Sequence, residues 1–242
     1  MPIYHKRPSA EAYGLMAGVL MLEANESRVP GDMGNASSYG YPVVFKTVPG
    51  ATVERTTKGD PALEAAVVES ARELESRGVR CITSNCGFMV KFQAAVAEAV
   101  GVPVGLSSLI QLPVVATSLG GRPIGIITAH SDRLNQDILA LSGLRAETPI
   151  VVTGLQDGPE FIGVLEERGV LDTDRLEGEM IEAAERLIAM EPDLGAIVLE
   201  CALLPAYAGA VQAATGLPVF DFLTLANYLQ SGVGQTAYEG AY

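Results

Sequence analysis

Three cysteines stand in this chain, and two of them, Cys86 and Cys201, occupy matching places in a repeated pattern. Each ends a short apolar, strand-like run and is followed by a helix-like run. Two thiols brought to opposite faces of one carbon can carry a proton across it. One thiolate removes the proton from one face and the other thiol returns a proton to the opposite face. A free thiol ionises near pH 8.5, and a helix N-terminus lowers that value, so a cysteine just before a helix is expected to be the more reactive. Cys81, in mid-strand, reads instead as a small core residue. A competing chemistry pairs Cys86 with His130 for acyl transfer, but Ser84-Asn85-Cys86-Gly87-Phe88 lacks the first glycine of a nucleophile elbow, and Cys201 would then have no task.

The matching is an internal duplication. Shifting residues 81–104 by 115 positions places Cys86 on Cys201, Gly101 on Gly216, Pro103 on Pro218 and Val104 on Val219, and eight of the 24 positions are identical without a gap. Around this unit the chain alternates strand and helix signals. Residues 18–22 and 42–48 read as strands, 23–35 as a polar loop, and Asp60-Pro61 as the start of a helix ending at Gly78. Residues 79–84 are a third strand, 88–100 a helix, and a fourth strand starts at Val102. After Gly120-Gly121 the pattern restarts with a strand over 123–128, and Ser131-Asp132 caps a helix ending at Gly143. A strand over 150–153 and a loop over 157–161 come next. Asp172-Thr173 then caps an amphipathic helix, the strand into Cys201 and its helix follow, and Pro218 begins the last strand.

Such alternation implies parallel sheets flanked by helices, here two similar α/β domains related by a pseudo-twofold with the site between them. The expected division is residues 1–118 plus 222–242 for the first domain and 119–221 for the second. Ligands of such sheets bind at the carboxyl ends of strands, where both repeat cysteines fall.

Composition narrows the partners. Hydrophobic residues make up 48% of the 242 positions and charged residues 19%, so a packed core is expected. The net charge of −13 argues against nucleic acid. No stretch has the length and apolarity of a membrane span, and the N-terminus lacks a signal-peptide core. An odd number of cysteines without an export signal reads as reduced thiols in a cytoplasm. The spacing of the cysteines matches no zinc pattern, and His5 and His130 are the only histidines, so no metal is expected. The partner expected is a small molecule, a carboxylate by preference, and homo-oligomerisation is left open.

The duplicated unit with a cysteine at the end of each third strand resembles the aspartate/glutamate racemase superfamily, from residue 18 to about residue 228 and including Gly216-Leu217-Pro218-Val219-Phe220-Asp221. That resemblance implies cofactor-independent proton transfer between two domains, with Cys86 and Cys201 as the acid/base pair. Arylmalonate decarboxylases keep only the second cysteine, so two point to a racemase or epimerase of an amino acid, a related small carboxylate or a hydantoin. A maleate-type cis-trans isomerase with a nucleophilic cysteine, a Cys–His amide hydrolase and a non-catalytic binding protein are the alternatives. The chain departs from the Cys-Asn-Thr and Cys-Thr-Glu or Cys-Thr-His signatures of aspartate and glutamate racemases. It has Cys86-Gly87-Phe88 and Cys201-Ala202-Leu203 instead. Candidate substrate-binding residues are therefore Ser84, Asn85, Gly87 and Phe88 at the first strand end and Ala202 and Leu203 at the second. Thr128 and His130 at the start of the second domain join them, as do Asn25 and Arg28 in the polar loop. Glu200 stands where the first copy has Asn85, and Asp221 reads as a helix cap.

Overall fold

The computed structural model describes residue 3 and residues 12–236. Among the described residues eight strands form two four-stranded sheets, and every pairing within them is parallel. The first sheet contains β1 (Ala17–Met21), β2 (Val43–Thr47), β3 (Cys81–Ser84) and β4 (Val104–Gly105), in the order β2-β1-β3-β4. The second contains β5 (Ile124–Thr128), β6 (Ile150–Gly154), β7 (Ala196–Leu199) and β8 (Val219–Phe220), in the order β6-β5-β7-β8. Nine α-helices are present among the described residues: α1 (Val53–Lys58), α2 (Glu64–Ser76), α3 (Gln93–Ala99), α4 (Leu112–Ser118), α5 (Gln136–Ala140), α6 (Pro159–Leu165), α7 (Thr173–Met190), α8 (Ala208–Thr215) and α9 (Phe222–Val233).

The duplication is visible in packing as well as order. Ala17 pairs with Cys81 in the first sheet and Ile124 with Ala196 in the second, so Gly18 and Gly125 are equivalent. A Cβ on Gly18 would lie 2.9 Å from Leu74 of α2, and one on Gly125 would lie 2.9 Å from Leu187 of α7. In each half the long amphipathic helix thus presses a leucine directly onto the backbone of the central strand. Leu63, Val67, Ala71 and Leu74 complete the core under the first sheet, and Leu176, Met180, Ala184 and Leu187 the one under the second. Burial of these side chains, each worth about 1.5–3 kcal/mol for the larger ones, fixes the strand ends in space.

Several local expectations needed correction. Residues 157–161 are not all loop. Pro159 opens α6, and the Glu179 carboxylate of α7 takes the free amides of Glu160 (2.7 Å) and Phe161 (2.9 Å). Ser131 and Asp132 sit in a single 3-10 turn over Ser131–Arg133, and it is Asn135 that caps α5. The helix after Cys86 starts as a 3-10 turn over Gly87–Phe92 before becoming α3. Helix α1, capped by Thr52, carries too few apolar positions to show as a helix in sequence. Asp172 caps α7 through Asp174 and Arg175, and Asp221 caps α9 in a reciprocal box with Thr224. Helix α9 packs against β3 and β4.

Candidate functional site

Two residues beyond β3 lies Cys86, and two beyond β7 lies Cys201, each at the carboxyl end of a central strand. The turn after β3 is tied down by Ser84, whose hydroxyl donates to Leu106 O (2.5 Å) and accepts from Cys86 N (3.3 Å). Asn85 reaches back to the end of β1, where its Oδ1 accepts from Leu22 N at 2.8 Å. Its amide nitrogen makes no hydrogen bond among the described residues, although the residue is only 7% exposed.

Glu200 does the same in the second half with a carboxylate. It accepts from Ala129 N and, through Oε2, from the Thr128 hydroxyl at 2.8 Å. Its Oε1 is buried and has no hydrogen-bond partner. The carboxyl crosses to the first half, since a Cβ on Gly87 would fall 1.8 Å from Glu200 Oε1 and 2.4 Å from its Cδ. Glycine at position 87 is therefore what admits Glu200 beside Cys86. Burial pushes the Glu200 carboxyl up to about 7, against the two hydrogen bonds that favour its charge.

Cys201 feels Cys86, and both thiols feel the same two carboxylates, Glu200 and Glu26. Desolvation, then Glu200, pushes the Cys86 thiol up to about 12, while contacts from the Phe88 and Met89 amides pull the other way. Cys201 is raised well above the ordinary thiol value by desolvation and Glu200, with Glu26 and Cys86 adding to the rise and only the Leu203 amide opposing it. Helix-induced activation is thus corrected. One short 3-10 turn follows each cysteine, too small a dipole to outweigh burial and two negative neighbours.

The polar loop over 23–35 closes the site. Arg28 pairs with Glu26 (2.7 Å) and Asp32 (3.2 Å), and all three side chains are largely buried. Asp32 also accepts from Gly34 N at 2.5 Å, while its Oδ2 lacks a partner. Burial raises both Glu26 and Asp32 despite the guanidinium beside them. From this first-half loop, Met33 N donates to Ala202 O (3.2 Å) and Asn25 N to Glu167 Oε1 (2.8 Å) in the second half. The loop thus ties the two halves together next to Cys201, and its Glu26 acts on both thiols.

The other candidates fall as follows. Phe88 is 4% exposed with Lys91 Nζ 5.7 Å from its ring centre, and Ala202 and Leu203 are buried in the turn after Cys201. Thr128 is wholly buried and spends its hydroxyl on Glu200. Burial, Arg133 and Asp132 set the environment of His130, and no interaction joins it to Cys86. The Cys–His pair of the acyl-transfer alternative is not formed. Arg28 is held by carboxylates of its own loop and is not presented free to a ligand. Glu26 was absent from the sequence-based candidates, and Glu200 was noted there only as the equivalent of Asn85. For Glu200 the signal was its position opposite Asn85 in the repeat; for Glu26 there was none. Among the described residues no group of three or more His, Cys, Asp or Glu is arranged to hold a metal ion, and no helix is long and apolar enough to cross a membrane.

No family model matches the chain. A dimethylsulfoniopropionate lyase from Durusdinium sp. clade D is 34% identical over 223 residues, covering 89% of this chain and 74% of that protein. The chain belongs to the dimethylsulfoniopropionate lyase family. Dimethylsulfoniopropionate lyase 7 of Emiliania huxleyi is 33% identical over 221 residues, and the matched region spans 87% of this chain but 64% of that longer protein. In three dimensions, unliganded arylmalonate decarboxylase superposes with a TM-score of 0.59 at 22% identity, over 93% of this chain and 96% of that one. Glutamate racemase from Bacillus anthracis gives 0.57 at 17% identity, over 90% and 82%. The chain therefore has the two-domain aspartate/glutamate racemase fold, as the resemblance in sequence implied.

Proposed function

We propose that this chain is a cofactor-independent lyase that eliminates dimethyl sulfide from dimethylsulfoniopropionate. The observation that carries this reading is the pair of thiols at equivalent strand ends, both acted on by Glu200 and Glu26, in a member of this family. The substrate bears a carboxylate, an α-carbon, a β-carbon and a sulfonium on that β-carbon. A thiolate takes one α-proton, that C–H pair becomes the Cα=Cβ bond, and the Cβ–S pair leaves on sulfur. The products are acrylate and neutral dimethyl sulfide, and the thiol returns its proton to water.

Cys86 is assigned as the base, because two backbone amides favour its thiolate whereas Cys201 has one. A thiol held near 12 is a strong base once ionised. The cation on the substrate supplies the charge that makes ionisation accessible, offsetting the two carboxylates. The free amide nitrogen of Asn85 is suited to the substrate carboxylate. Aspartate and glutamate, each with two carboxylates, would meet carboxylates here without the hydroxyl and imidazole partners that racemases place after their cysteines.

A second reading keeps Cys201 as a proton donor on the opposite face, giving racemisation or epimerisation. It is favoured by the electrostatic contact between the two thiols. The deciding experiment incubates purified, chelator-dialysed protein with dimethylsulfoniopropionate and measures dimethyl sulfide by headspace chromatography. Cys86→Ser is expected to lose at least about a thousandfold in kcat, consistent with loss of the proton acceptor, and Cys201→Ser to retain measurable elimination. Deuterium uptake into chiral amino acids or hydantoins without sulfide release would favour the second reading instead.

A further inference from the structure

We propose that Glu200 is the counter-ion that selects a substrate carrying an onium group, a sulfonium or quaternary ammonium, that brings no N–H donor of its own. This rests on the lyase reading and assigns the specificity of the same site to one residue.

The geometry is unusual for a buried carboxylate. Glu200 is 1% exposed, and Oε2 is engaged by Thr128 while Oε1 has no donor at all. Buried carboxylate oxygens ordinarily find a donor, and one left unpaired costs several kcal/mol. The nearest wall for Oε1 is Gly87, whose missing side chain leaves room for it beside Cys86. The groups facing it are Thr128 at the end of β5 and Ala129 just beyond it, Cys86 and Gly87 beyond β3, and its neighbour Cys201. From the loop above, Glu26 acts on both thiols, and Arg28 is already neutralised by Glu26 and Asp32.

Above about pH 7 an uncompensated negative charge thus stands beside the thiols, with no hydrogen-bond donor aimed at its free oxygen. A primary ammonium would demand three acceptors. An onium demands none: a negative field suffices for it, and the Glu200 carboxylate, seated against Gly87 beside Cys86, supplies that field. In the equivalent position the first half has Asn85, neutral and able to donate. One half of the duplicated site then suits the cation and the other the carboxylate of one zwitterion.

Binding is read without turnover by calorimetry with 3-trimethylammoniopropanoate, whose amine leaves poorly, and its carbon isostere 4,4-dimethylpentanoate, which keeps the carboxylate and lacks the cation. The wild-type protein is expected to prefer the onium by at least roughly tenfold at high pH. In Glu200→Gln that preference should collapse to within about twofold while the isostere binds as well as before. Glu26→Gln should keep the preference. In the unmodified protein the preference should also fade as pH drops through about 7, where Glu200 takes up a proton. This second measurement decides the matter should Glu200→Gln fail to fold.

A preference that survives in Glu200→Gln, or persists unchanged well below that pH, overturns the assignment. So does a preference lost in Glu26→Gln instead. Loss of kcat in Glu200→Gln with an intact preference overturns it too, making Glu200 a proton-handling group. Failure of the wild-type protein to release dimethyl sulfide removes the lyase reading but leaves the onium preference measurable by itself.

Discussion

Asn85 and Glu200 make the same hydrogen bond in the two halves of the molecule. Asn85 accepts from Leu22 N at 2.8 Å, and Glu200 accepts from Ala129 N, at positions that the sheet registers make equivalent. The duplicated scaffold is retained while one side chain is a neutral amide and the other an ionisable carboxyl. On the lyase reading proposed above, that difference suits a zwitterionic substrate bound in one direction.

Replacing Gly87 by alanine should disrupt the site through Glu200. The new methyl would stand 1.8 Å from Oε1, 2.4 Å from Cδ and 2.6 Å from Glu200 O, and the backbone oxygen cannot swing away. Overpacking of this kind costs about 1–3 kcal/mol. Urea denaturation is expected to report a loss in that range. Activity should fall far more than stability, because Cys86 and Glu200 are both displaced. Unchanged stability and turnover would show that the two segments are not in contact.

Stability should depend on pH through Glu200. Its pKa in the folded protein, about 7, lies above the ordinary 4.5, so the native state holds the proton more tightly than the unfolded chain. The associated stability is complete below about 4.5 and is lost as pH rises through about 7, amounting to about 3 kcal/mol at full ionisation. Glu26, Asp32 and Asp221 are raised as well and add in the same direction. Thermal melts of the Glu200→Gln variant should show a shallower decline from acid to neutral pH. Parallel curves for the two proteins would contradict a buried, reluctantly ionised Glu200.

Arg28 should matter for the loop more than for direct substrate contact. Replacing it by methionine leaves Glu26 and Asp32 buried without their cation, which typically costs 3–5 kcal/mol for a buried pair. Glu26 and Asp32 are then expected to hold protons at neutral pH, and the loss should be larger at pH 8 than at pH 5. Adding Asp32→Asn to the methionine variant should restore part of the stability. A single variant as stable as the parent at both pH values would place Arg28 outside the loop's framework.

The repeat alone determined the parallel α/β halves and the placing of both cysteines at strand ends, because a period of 115 residues with matching Cys, Gly and Pro leaves few other topologies. Capping residues such as Asp172 and Asp221 were legible for the same local reason: a side chain two or three positions away answers a free amide. The pairing of Glu200 with Gly87, the closure of the loop through Met33 and Ala202, and the elevated thiols were decided only by tertiary structure. Those depend on what two distant segments exclude from water, and burial reversed the sign of the thiol shift that the local helix signal suggested. Periodicity reports which face of an element is buried, whereas the charge that a buried group can carry is set by the partners that folding brings to it.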